Sequence, residues 1–202
     1  NMYISGESFD YGPWRFLPKW DPGFTAAYFD HQGLYAFGRQ PEALHWNCGQ
    51  FAVALRLLTD APPLIAAMER FGPLYMEAIG RRWCWRMGVA SRGPEADAAV
   101  VAASEKVLSE TGVAPDAFFF SHRAGRGTEC ALADALEGYE PLASDHPYWD
   151  GAAPQSMLID EVEAIWAAIA GADDWQPLTN KVSALRVMGA AHGAPPLPAG
   201  HV

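Results

Sequence analysis

Asp10, with Tyr11 and Gly12 after it and Asn1 nine residues before it, is the grouping in this sequence best suited to chemistry. A carboxylate and an amide carbonyl are hard oxygen donors of the kind magnesium accepts. That ion keeps several waters and takes the rest of its shell from nucleotide phosphates. Gly12 lets the backbone turn sharply beside the carboxylate. Asp, Gly and the adjacent Pro13 are also ordinary turn residues, so the triplet alone leaves both readings open.

Other groupings carry less. Asp30-His31 would be an acid–base pair if the carboxylate oriented the imidazole; neighbours in a turn seldom face each other, and a histidine satisfied by loop backbone is the simpler expectation. Ser121-His122-Arg123 lacks the glycine frame of a nucleophile elbow. Gly125-Arg126-Gly127 could cradle a phosphate at a helix start, yet with two glycines and no preceding strand it reads as a turn. Trp83 and Trp85 beside Arg81, Arg82 and Arg86 could stack a base, or simply pack one face while the arginines snorkel on the other. His45, His122, His146, His192 and His201 show no ligand spacing, so zinc is not expected. Glu129 and Asp134 read as helical surface charges. Cys48, Cys84 and Cys130 are far apart and read as reduced, buried thiols rather than a disulfide framework.

The elements that must position these groups follow from periodicity and punctuation. Gly6, Gly12, Pro13, Pro18, Pro22, Gly23, Gly33 and Gly38 rule out continuous helix over residues 1–40. That segment is rich in aromatics and reads as an ordered, active-site-type loop. Leu44, Cys48, Phe51, Leu55 and Leu58 recur at helical spacing and predict a buried helix over 41–59. A second helical stretch is expected over 63–87, broken near Gly72-Pro73. A third starts at Pro94 and stops before Gly112, with a stripe through Ala96, Ala99, Val100, Ala103, Val107 and Leu108 and a solvated opposite face. A short helix is expected near 128–137, one beginning at Pro154 with Leu158, Val162, Ile165 and Ile169 on its face, and a last over 178–190. Strand-like alternation is scarce. The expectation is one all-α domain: loop region 1–40, helical lobe 41–192 and extended tail 193–202.

Bulk composition narrows the function. With 202 residues, half of them apolar, the chain can bury a core. Its 24 acidic against 14 basic residues give a net charge of −10, a field that repels nucleic acid and anionic lipid surfaces. No apolar window is long enough to span a membrane, and Asn1-Met2-Tyr3 does not open a secretory signal. A cytoplasmic protein without nucleic-acid or membrane partners is expected.

The longer text decides what the triplet leaves open. Phe9-Asp10-Tyr11-Gly12-Pro13-Trp14, Asp21-Pro22-Gly23-Phe24, Asp30-His31-Gln32-Gly33, Tyr35, Phe37, Gln40-Pro41, Leu44 and Trp46-Asn47, in that order and spacing, closely resemble the selenoprotein O family, called YdiU in bacteria. The match is dense over residues 1–58 and loose beyond. Members of that family look like pseudokinases and act as protein adenylyltransferases. The resemblance implies the C-terminal lobe of a protein-kinase-like fold and transfer of AMP from ATP to Ser, Thr or Tyr hydroxyls of protein substrates, with Mg2+ or Mn2+. It makes Asp10 the first metal ligand, also on the nucleotide side, and Asn1 the second, with Tyr11, Gly12, Asp30 and His31 as loop support.

It also places the catalytic base directly before Asn1, and assigns the glycine-rich segment, Lys, Glu and Arg that hold ATP to an upstream half. Lys19, Lys106 and Lys181 sit in no such context. The expectation is therefore a chain inactive by itself, whose face for the missing N-terminal half favours self-association. The rival reading is a non-catalytic, partner-binding helical module or truncated relative. Many family members carry a Cys after Asp-Pro-Gly-Phe and a Cys or selenocysteine near the C-terminus; Thr25-Ala26-Ala27 and Gly200-His201-Val202 stand there instead, so that regulatory disulfide is not expected.

Overall fold

The structure, a computed structural model, describes residues 16–126, 130–142 and 145–193, with Cys130 described in its backbone only. As expected the fold is all-α; among the described residues the one β feature is an isolated bridge between Val89 and Pro141. Its described residues divide into two compact units, residues 21–75 in one, and residues 16–20 with those from 76 onward in the other.

In the first unit, α1 (Gln40–Leu55) and α2 (Ala61–Glu69) pack on each other. Pro41 stands in the first turn of α1, where its missing N–H costs nothing, and Pro62 does the same for α2. The expected break falls slightly early. α3 (Phe71–Met87) starts after Arg70 because Pro73, in its first turn, lacks an N–H and would clash with the carbonyl of Glu69.

The apolar stripe of α1 is not buried, contrary to the sequence expectation. No residue of α1 or α2 is fully covered, and Trp46 is 63% and Val53 66% exposed. The helix forms, but residues 21–75 supply too little apolar surface to close over it.

The second unit holds the core. Gly80, Cys84 and Met87 of α3 are buried on one face. They meet α4 (Pro94–Thr111), which starts with Pro94 and two acids in its first turn and ends on Gly112 in the left-handed conformation at φ 65°. α5 (Pro115–Ser121) adds Phe118 and Phe119, and α6 (Cys130–Ala135) with the turn after it adds Leu132, Leu136 and Tyr139. The run Phe118-Phe119-Phe120 is thus helical. Backbone bonds from Ala90 N–H to Glu140 O (2.9 Å) and Leu142 N–H to Gly88 O (2.7 Å) tie the exits of α3 and α6 together.

α3 and α4 approach closely only because residue 80 is glycine. A Cβ there would lie 2.8 Å from the Asp97 Cβ. Gly88, at φ 69°, likewise leaves room for the Arg123 side chain, whose Nε would sit 2.5 Å from an added Cβ.

α7 (Ile159–Ala172) and α8 (Gln176–His192) complete the unit. Val162, Ile165 and Ile169 form the expected half-buried stripe, but the helix begins at Ile159 rather than Pro154. The preceding residues are held as an extended segment: the Gln155 N–H donates to the Tyr148 hydroxyl at 3.0 Å, and its side-chain oxygen accepts from Lys181 Nζ at 3.1 Å.

Candidate functional site

The site expected from the sequence begins in residues 1–15. Asn1, Asp10, Tyr11 and Gly12 lie outside the described residues, as does all of the tail beyond Gly193. Among the described residues no group of three His, Cys, Asp or Glu side chains could hold a metal ion.

The described part of the loop is ordered by its own backbone. Phe24 N–H donates to Asp21 O (3.1 Å), Asp30 N–H to Ala27 O (3.0 Å) and Ala36 N–H to Gly33 O (3.1 Å), a succession of tight turns. Phe37 N–H to Phe24 O (2.9 Å) and Gly38 N–H to Pro22 O (2.8 Å) then bring the ends together. Gly38 is required there, because an added Cβ would lie 2.8 Å from the Pro22 Cβ. The result is a closed loop over residues 22–38, of the kind whose short-range hydrogen bonds make it rigid without regular structure.

Each acidic residue of this loop has a backbone task. Asp21 Oδ1 accepts from Gly23 N–H at 2.9 Å. Asp30 Oδ2 accepts from Tyr35 N–H at 2.7 Å, and that bond holds the carboxyl below its usual range. The carboxylate is therefore committed to the amide rather than to His31, which is exposed. Arg39 closes the loop's far side: Nε and Nη2 each meet a Glu42 oxygen at 2.8 Å, and Nη1 donates to Gly33 O at 3.4 Å. This pairing raises the guanidinium and lowers the carboxyl. Tyr28, Phe29, Leu34 and Tyr35 stand exposed around the loop.

In the second unit four polar groups sit where composition alone would not put them. Asp97 is fully buried. Its carboxylate accepts from Ser91 Oγ at 2.5 Å, from Arg92 N–H at 3.0 Å and from Tyr139 Oη at 2.9 Å. Burial, reinforced by this carboxylate, pushes the Cys84 thiol up to about 12 and the Tyr139 phenol well above its ordinary value. Cys84 is thereby inert, as expected of a buried thiol; Cys48 is free and half-buried.

Arg123 is 2% exposed. Its Nη1 donates to Trp85 O at 2.9 Å and its guanidinium lies 4.5 Å from the Trp149 ring centre; burial lowers its pKa. Trp85 and Trp149 flank His192, with centroids 5.3 and 4.8 Å from the imidazole. Burial first, then the positive charges of Arg86 and Arg123, push His192 down to about 4. Lys181, 7% exposed, is paired with Glu161 at 2.7 Å.

Sequence reading missed Asp97, Arg123, Lys181 and His192. A signal existed for one of them. Asp97, Val100, Val101, Ser104, Val107 and Leu108 share helical spacing, so Asp97 and Ser104 belong to the stripe rather than the solvated face. The weaker motifs resolve toward packing. Trp83 meets Trp20 and Phe119 edge-on at 5.8 and 5.2 Å, while the Arg86 guanidinium lies 4.6 Å above Phe119 and pairs with Asp116 at 2.9 Å. Ser121 Oγ donates to Phe118 O at 3.0 Å, and His122 Nδ1 lies 2.7 Å from the same carbonyl.

The closed loop lies within the part of the chain that comparison with known proteins matches. The model of the family described as protein adenylyltransferase SelO matches residues 1–137. The protein nucleotidyltransferase YdiU of Gloeobacter violaceus is 30% identical over 213 residues, covering 92% of this chain and 44% of the relative. Its counterpart in Trichodesmium erythraeum is 32% identical, covering 88% and 43%. That of Synechococcus elongatus is 44% identical over 88 residues, 44% of this chain. The chain spans less than half the length of the first two relatives. With two thirds of its residues matched in family order, and the closed loop among them, the chain belongs to the protein adenylyltransferase SelO family.

Proposed function

We propose that this chain supplies the cation-binding portion of a nucleotidyltransferase that moves AMP from ATP to a Ser, Thr or Tyr hydroxyl of a protein substrate. The observation that carries the reading is the family match over residues 1–137, which includes Asp10 in its Asp-Tyr-Gly setting. The donor set fits the group: an Asp carboxylate and an Asn amide oxygen suit Mg2+ or Mn2+, and neither is a soft ligand that would prefer zinc. When bound, the cation neutralises negative charge on the nucleotide phosphates.

In the proposed reaction the acceptor oxygen forms a bond to the α-phosphorus, the bond from that phosphorus to the bridging oxygen breaks, and pyrophosphate leaves. The hydroxyl proton passes to a base that the family pattern puts immediately ahead of Asn1. Asp10 and Asn1 position charge, and the closed loop fixes the chain that follows them; positioning and electrostatics do most of the work. No lysine here takes the ATP-holding role: Lys181 is spent on Glu161 and Gln155. The 202-residue chain by itself is accordingly inactive, and its family partners are ATP, protein substrates and the half of the protein that carries the nucleotide-holding residues. A cytoplasmic setting belongs to the same proposal.

The second reading, a non-catalytic partner-binding module, is favoured by the uncovered apolar surface of α1 and α2. One assay tests the inactivity of the isolated chain and the part played by Asp10. The chain and a generic acceptor protein are incubated with ATP and Mn2+, and intact masses are read for added AMP, with Asp10→Ala alongside. Unmodified protein is the expected result. Modification that requires Asp10 would overturn the inactivity of the isolated chain. Modification that persists in the variant would remove Asp10 from the chemistry.

A further inference from the structure

The apolar surface left open on the first unit has a direction. α1 and α2 form a helical hairpin, because residues 56–60 turn the chain back and connections this short join antiparallel neighbours. Gly49 and Met68, on either side of that turn, come together: a Cβ added to Gly49 would lie 4.0 Å from the Met68 methyl. A groove of about 380 Å3 runs between the two helices.

The groove has a floor and two rims. Gly49, Ala52, Ala61, Leu64 and Met68 line it half-buried, whereas Val53 on α1 and Ile65 on α2 line it exposed. Glycine and alanine leave hollows in the floor, and the branched side chains stand out beside them. Relief of this kind lets one helix pair interdigitate with another.

Its charges lie at opposite ends. Arg56 lines the groove where α1 enters the turn, and Glu69, the last residue of α2, lines it at the far end. Both are exposed. Arg56 Nη1 donates to Thr59 O at 3.0 Å, but among the described residues neither side chain forms an ion pair. One arginine against one carboxylate makes the groove neutral on a chain of net charge −10, so a second copy meets less repulsion here than the whole chain would give. A neighbouring groove of about 430 Å3 shares Ala52, Leu64 and Met68 with this one. It has no charged lining residue, and nothing there sets an orientation.

We propose that the groove between α1 and α2 is a two-fold dimer interface, in which the hairpin of one chain packs antiparallel on that of a second copy. Val53 and Ile65 of each copy enter the hollows of the other, and Arg56 of each meets the partner's Glu69. Two-fold symmetry makes every such pairing twice, and the product is a four-helix bundle. A partner with one charge would leave one end of the groove without its complement, whereas a copy of this chain supplies both. The inference uses no residue of the AMP-transfer reading and is independent of it.

Sedimentation velocity of the 202-residue chain over a concentration series should give a reversible monomer–dimer equilibrium. Arg56→Glu alone and Glu69→Arg alone each put like charges at both ends of the contact, and each should weaken the dimer ~10-fold or more. Mixed in equal amounts, the two variants should dimerise with wild-type strength, because each supplies the charge that the other lacks. A variant that had merely unfolded would not be rescued in this way. Ile65→Lys puts a charge at the exposed centre of the contact and should leave a monomer whose thermal melt is unchanged. A wild-type monomer throughout would give the groove to a partner other than a second copy and overturn the proposal. So would association of indefinite size, dimerisation indifferent to these substitutions, or a mixture that associates no better than its components.

Discussion

Asp97 concentrates three hydrogen bonds on one carboxylate with no access to water. Asp97→Ala strands the Ser91 and Tyr139 hydroxyls and the Arg92 amide, and a loss of roughly 3 kcal/mol in unfolding free energy is expected from urea titration. His192 gives the matching pH effect. Its folded pKa, about 4, is below the ordinary 6.5, so its contribution is fully present above pH 6.5 and is lost as pH falls toward 4. Stability should drop by up to about 2 kcal/mol between pH 7 and 5, and His192→Phe should flatten that part of the profile. Neither residue was legible as buried from its type, because Asp and His are ordinarily surface residues. Spacing betrayed Asp97; His192 is covered by Trp85 and Trp149, which lie far from it in sequence, and no local pattern could report that. Asp10 was singled out in another way, through the fixed order of its neighbours rather than any periodicity, and it lies outside the described residues.

Gly80 is the close joint between α3 and α4. A methyl there meets the Asp97 Cβ at 2.8 Å, so Gly80→Ala must push α3 from α4, and a cost of about 1–3 kcal/mol in thermal or urea unfolding is expected. α4 was readable end to end, because its start, stripe and stop are local signals: Pro94, the spaced apolar residues and Gly112. α1 was readable as a helix but not in its burial, since burial depends on what covers the stripe. Pro154 misled for a related reason. Proline suits a helix start, yet the Gln155 amide is taken by Tyr148, and the helix waits until Ile159.

The two units differ in how well they are finished. The second has a dense core, whereas Leu57 and Leu58 in the first are 92% and 82% exposed and α1 and α2 bury nothing fully. Contiguous apolar surface of that kind marks an interface. Light scattering of the isolated chain should show concentration-dependent self-association, and a monodisperse monomer at high concentration would count against an uncovered docking face.

The most direct measurement is of the cation itself. Free Mn2+ can be followed by electron paramagnetic resonance as it is titrated into the chain, for wild type, Asp10→Ala and Asp30→Ala. One Mn2+ site is expected in wild type, retained in Asp30→Ala because that carboxylate serves the Tyr35 amide, and weakened ~10-fold or more in Asp10→Ala. Equal Mn2+ uptake by wild type and Asp10→Ala would contradict the account.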